Sequence, residues 1–172
     1  MKVTVYVLIA LIIFPVFGYS QARTRSNYIG YSYKGVVPSK TLPNGVKHMG
    51  GGLIGDIEAE TVYGISQVEK GKTKMLWLES STGKDDSGIT GWKVLDVISF
   101  PALGRSEYLF FVGDPAIGCL RRGNEIPNLV GVGRINRRRG SFTPIKLWVA
   151  SADTRKFVPV AVAGIKCEYT EP

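Results

Sequence analysis

Few residues in this chain are of the types that perform chemistry, and their spacing limits what they can do. His48 is the only histidine, so any Ser-His-Asp, Cys-His or histidine–metal arrangement must pass through it. Asp56 and Glu58 lie near it in sequence and could orient it. Around Ser66 the chain reads Gly64-Ile65-Ser66-Gln67-Val68, so the G-x-S-x-G elbow of a nucleophilic serine fails at its last position. Gly50-Gly51-Gly52-Leu53-Ile54-Gly55 could offer backbone N–H groups to a phosphate, but the Lys-Ser/Thr pair of a P-loop is missing. A flexible or tightly bent connection is the expectation there. Asp85-Asp86-Ser87-Gly88 carries oxygens without the spacing of a calcium loop. The carboxylates Glu58, Glu60, Glu79, Asp96 and Glu107 are spread too evenly to choose a hydrolytic pair, because that test is a separation in space. The reading therefore leans away from an enzyme and expects no cofactor and no metal. His48 is expected to be dispensable.

Charge gives a more local signal. The net charge is +8, yet residues 53–118 hold ten acidic side chains against six basic ones. Residues 119–167 hold ten basic side chains and only Glu125 and Asp153 against them. Arg121 and Arg122 form one cluster there, and Arg134 with Arg137, Arg138 and Arg139 forms another. Clustered arginine attracts polyanions, so these six residues are the expected binding site. An acidic protein, an acidic polysaccharide or another polyanion is the expected partner, and nucleic acid stays among the candidates. The alternative for the same residues is a solvated turn.

The ends of that basic segment are Cys119 and Cys167, the only two cysteines. An even pair in an exported chain predicts one disulfide. Closing a loop of roughly 50 residues contributes about 4 kcal/mol in the chain-entropy model.

Export itself is read from the first residues. Met1-Lys2 opens an apolar run to Phe17, broken only by Thr4 and Pro15, and small residues follow. This is the three-part pattern of a secretory signal peptide over residues 1–20, with cleavage alternatively after Ala22. The run is shorter than the ~20 residues of a spanning helix. The expected product is secreted or periplasmic, with no stable membrane span after cleavage. Residues 21–27 read as a flexible leader and 28–172 as a single domain.

The elements that must position these residues read as strands. Residues 73–79 are apolar on both parities, which suits a central strand. Residues 80–91 are polar and predict a surface loop. Residues 92–100, 108–112, 128–135, 145–149 and 156–167 continue the pattern between Gly, Pro and Asp punctuation. Tyr31 and Tyr33 share a face if their run is a strand. A four-residue loop at residues 151–154 would pair Trp148 with Phe157, and Pro159 then argues for a sheet edge or a bulge. Together these predict an all-β fold: a small antiparallel barrel or sandwich, one domain, one disulfide. The function this supports is an exported binding protein with a basic loop; a small secreted hydrolase and an inhibitor presenting the 80–91 loop are the alternatives.

Overall fold

The computed structural model describes residues 27–35, 42–111 and 114–170. The signal-peptide and leader readings fall on residues outside this set, except for Asn27. The described residues form two antiparallel sheets and one short 3₁₀ turn at Arg137–Arg139, with no α-helix. The sheets do not close into a barrel but pack face to face.

The first sheet contains β1 (Ser32–Lys34), β2 (Val46–Ile54), β3 (Tyr63–Lys70), β4 (Thr73–Lys84) and β5 (Thr90–Phe100), in spatial order β1-β5-β4-β3-β2. The central position belongs to β4, whose residues Met75, Leu76, Trp77 and Leu78 are all buried. Its two faces have different covers. Leu76 and Leu78 join Ile54 and Ile65 against Val130, Trp148, Ala150 and Phe157 of the second sheet. Met75 and Trp77 join Val46, Val68, Val94 and Val97 on the opposite face, where Tyr28, Tyr31, Tyr33 and Leu42 cover them. Tyr31 and Tyr33 do share a face, their rings stacked 6.5 Å apart beside Trp77.

Two bulges decide which side chains reach which face. Between β4 and β5 the register runs Leu78↔Asp96 and then Glu79↔Val94, leaving Leu95 as the extra residue. Val94 and Val97 thereby share one face although they are three apart, and Asp96 is turned to the other. Between β2 and β3 the register runs His48↔Val68 and then Gly50↔Gln67, so His48 and Gly51 come to the same side. The Gly50-Gly51-Gly52 run therefore lies inside a strand and is not the bent connection the sequence predicts. Gly51 packs flat on β3, where a Cβ would stand 2.5 Å from the carbonyl oxygen of Ile65.

The second sheet contains β6 (Glu107–Phe110), β7 (Ile117–Arg121), β8 (Asn124–Glu125), β9 (Leu129–Asn136), β10 (Ser141–Ser151), β11 (Lys156–Val160) and β12 (Ile165–Tyr169). Opposite β9, strand β10 changes partner along its length: Ser141 and Phe142 pair with β12, whereas Leu147 to Ser151 pair with β11. The switch spans the bulge between Pro144 and Lys146, where proline has no N–H to give a ladder. The outer face of this sheet has its own core of Phe110, Leu129, Phe142, Leu147, Ile165 and Cys167. Cys119 and Cys167 are direct cross-strand partners of β7 and β12 and form the disulfide.

Two expectations need correction. The polar residues 80–91 are mostly strand, since β4 runs on to Lys84 and β5 starts at Thr90. What remains is a hairpin turn at residues 85–89, in which Asp85 accepts from the backbone N–H groups of Ser87 and Ile89. In the β10–β11 hairpin, Ser151 pairs with Lys156, Ala150 with Phe157 and Trp148 with Pro159. Arg155 takes a left-handed φ of 54° and belongs to the turn, so pairing starts one residue later than a 151–154 loop allows. Trp148 and Phe157 are thus diagonal neighbours on the core face. Pro159 lies on β11, whose one strand partner among the described residues is β10, as its missing N–H requires.

A polar contact crosses between the layers: Asp96 Oδ2 accepts from the backbone N–H of Phe157 at 2.8 Å. Asp96 is 5% exposed, so this charge-assisted bond is made out of water. Asp96→Ala should cost about 1–3 kcal/mol of stability by removing the inter-sheet acceptor. Asp96→Asn, which keeps an acceptor oxygen, should lose less; urea unfolding of the two variants measures the difference.

Candidate functional site

Among the described residues, the outer face of the first sheet is only partly covered, and the uncovered part is a concavity of about 390 Å³. Its floor and walls come from all five strands. Tyr33 projects from β1, Trp92 from β5, Glu79 from β4, Gly64 and Ser66 from β3, and His48, Gly51 and Leu53 from β2, with Leu42 at the side. Ladder register explains the convergence: Gly51↔Ser66, Leu53↔Gly64, Gly64↔Glu79 and Tyr33↔Trp92 place these residues on one face. Gly64, the cross-strand partner of Glu79, lies against the indole of Trp92, where a Cβ would stand 3.4 Å from Cζ3, at ordinary van der Waals contact.

Glu79 is the chemical centre of the concavity. It is 2% exposed, and both of its oxygens are engaged. The Tyr33 hydroxyl donates to Oε1 at 2.8 Å, and Ser66 Oγ donates to Oε2 at 2.8 Å. Burial disfavours the carboxylate more than these two donors favour it, and the pKa is pushed up to about 7. Tyr33 is raised far above the ordinary tyrosine value, first by burial and then by the charge of Glu79. His48 is lowered, because burial disfavours the imidazolium. Among the described residues no lysine, arginine or histidine forms an ion pair with Glu79. The site is a buried carboxyl held by neutral hydroxyls, in a hollow with aromatic and glycine walls.

Of the five carboxylates in the sequence reading, Glu79 and Asp96 are the buried ones. They lie on opposite faces of the first sheet and form no pair. Asp56 accepts the backbone N–H of Glu58 in its own turn, and neither residue lines the concavity with His48. Among the described residues there is no group of three His, Cys, Asp or Glu that could hold a metal. No helix there is long and apolar enough to cross a membrane.

The six arginines are exposed, but the fold separates them. Arg121 and Arg122 are at the β7–β8 turn, next to Ile165 at the start of β12. Arg137, Arg138 and Arg139 form the β9–β10 turn beside Tyr169 at its end, and Arg134 lies near the end of β9, three residues before Arg137. The two clusters are roughly 13 Å apart along the strand direction alone, at 3.3 Å per residue. The Arg134 to Arg139 cluster is gathered at one hairpin tip; Arg121 instead donates to the carbonyl oxygen of Ala161. A larger hollow of about 780 Å³ lies over β7, β8 and β12. The charged side chains that line it there, among them Arg122, Glu125 and Lys166, are exposed.

Sequence reasoning passed over Tyr33, Ser66 and Glu79 as a unit. Their separations of 33 and 13 residues carry no local signal. The available hint was Glu79 itself, a carboxylate directly following four apolar residues on a strand that reads as central.

The raised carboxyl sets a pH dependence. Below about 4.5 Glu79 is protonated folded or unfolded, and above about 7 it is ionised in both. Between these values the unfolded chain releases its proton first, so folding stability falls as pH rises. The full loss is on the order of 3 kcal/mol. Glu79→Gln should remove this slope, so the wild type loses stability relative to the variant from about pH 4.5 to about 7; thermal melts across this range check it. The chain matches no protein-family model, no curated protein and no solved structure, and the chemistry of the site rests on these residues alone.

Proposed function

We propose that the protein is an exported binding protein whose ligand site is the concavity on the outer face of the first sheet. The observation that carries this reading is Glu79, a carboxyl out of water with no cationic partner among the described residues, opening on a hollow of about 390 Å³. A core does not retain such a group for stability, since burying it costs several kcal/mol that apolar packing would not. The volume is that of a small-molecule site, and apolar walls with a few convergent polar groups fit one. Export is supported by the signal-like first residues and by the disulfide, which persists in oxidising compartments.

The test is occupancy of the hollow by a neutral, indole-sized probe. In two-dimensional NMR, tryptophol should shift the amide signals of Gly51, Gly64 and Ser66 before others. Leu53→Trp, at a rim position that is 50% exposed, should block these shifts while the fold stays intact. Shifts that are scattered over the surface, or that persist in Leu53→Trp, would count against the reading.

A second surface is supported by the gathered, exposed Arg134, Arg137, Arg138 and Arg139. It is the site for a polyanion, independent of the hollow. Replacing Arg137, Arg138 and Arg139 with Gln should reduce retention on heparin and flatten its dependence on salt, because fewer counterions are released. The melting temperature should hardly move. Equal retention by wild type and triple variant would return these arginines to the role of a solvated turn.

A further inference from the structure

We infer that the hollow takes a small organic cation: a protonated amine placed against Glu79, carried on an apolar body that rests on Trp92 and Leu53. This rests on the reading of the hollow as a ligand site and names the chemistry of its ligand.

Among the described residues, the hollow holds no counter-charge for Glu79. Glu79 receives two hydrogen bonds, from Tyr33 and Ser66, whereas an ionised carboxylate has about four lone-pair positions. The two donors are neutral and supply no counter-charge. The basic groups around the hollow do not supply it either. Lys34, at its rim, is paired with Asp85 at 3.1 Å, and His48 is held toward its neutral form by burial. A ligand ammonium would therefore bring an interaction that the described residues of the site do not supply. Its N–H groups fit the remaining lone pairs in a charge-assisted bond.

The walls select for the same charge. Tyr33 and Trp92 line the hollow, and aromatic faces attract cations through their quadrupole. The indole of Trp92 lies over Gly64, the cross-strand neighbour of Glu79, so aromatic surface and carboxyl are adjacent. An anionic ligand would meet the charge of Glu79 at close range. A neutral one would fill the volume without compensating that charge.

The experiment compares three probes with one indole body on the full chain at about pH 8, where Glu79 is ionised. Tryptamine is the cation, tryptophol the neutral analogue and indoleacetate the anion. By calorimetric titration tryptamine should bind at least about tenfold more tightly than tryptophol, a difference of about 1.4 kcal/mol. Indoleacetate should be the weakest. In Glu79→Gln, tryptamine and tryptophol should bind within a few-fold of each other. Tryptophol or indoleacetate binding the wild type as well as tryptamine overturns the cation assignment and leaves the ligand site standing. A preference for tryptamine that survives in a folded Glu79→Gln overturns it too. Failure of all three to bind the wild type removes the assignment and the ligand site with it. The wild-type comparison needs no variant, so the inference stays testable if Glu79→Gln folds poorly.

Discussion

A strand that is apolar on both faces cannot lie on the surface of a sheet pair. Met75, Leu76, Trp77 and Leu78 are all buried, and most of the molecule is arranged to cover them. One face is met by the second sheet, through Trp148, Ala150 and Phe157. Among the described residues, the other has no third sheet to meet it. The chain covers it with residues 27–35, which run beside β5 through the bonds Gly30 N–H to Val94 and Val94 N–H to Tyr31. Tyr28, Tyr31 and Tyr33 surround the indole of Trp77. This cover is a strip rather than a layer. It closes over Trp77, and among the described residues the face beyond it, with Glu79, Ser66 and Gly64, is left as a hollow.

The two buried carboxyls meet the cost of burial differently. Asp96 is turned by the Leu95 bulge toward the second sheet and takes a backbone N–H from Phe157. That N–H is part of the fold, so the bond ties two layers together and has a structural purpose. Among the described residues Glu79 is held by the side-chain hydroxyls of Tyr33 and Ser66. Neither needs a carboxylate, since an amide oxygen in its place could also accept from a hydroxyl. The residue is out of water, poised to gain or lose a proton near neutrality, and next to space. Groups in that condition are concentrated where proteins bind or react.

The sequence carried the fold further than it carried the site. Alternating and two-sided apolar runs, with Gly, Pro and Asp between them, predict strands, and the central placement of residues 73–79 follows from their having no polar parity. The cysteine pair followed from there being only two. The errors came where one residue changes parity. The extra residues at Leu95 and at the Met49–Gly50 step are invisible to a period of two, and they decide that Val94 faces with Val97 and His48 with Gly51. At the β10–β11 hairpin, with a left-handed Arg155 in its turn, the register differs by two residues, which keeps Trp148 and Phe157 on one face but makes them diagonal neighbours. The site depends on those shifts and on side chains up to 46 residues apart, so no local pattern could announce it. The arginines were conspicuous in the sequence because they are adjacent in the chain, yet adjacency in the chain put Arg121–Arg122 and Arg137–Arg139 at different ends of β12.

Net charge is for the same reason a poor guide to what the hollow prefers. The +8 of the whole chain would argue against a cationic ligand if the ligand felt it all. At physiological ionic strength exposed charges are screened over about 8 Å, and packed sheets lie about 10 Å apart. The exposed arginines belong to turns of the second sheet, whereas the hollow is on the face of the first sheet that points away from it. What acts inside is the nearest ionisable group in the driest surroundings, and that is Glu79. A large polyanion arriving at the arginine tip and a small cation entering the hollow would accordingly meet opposite local fields on one molecule. The fold separates those fields by placing a hydrophobic core between them.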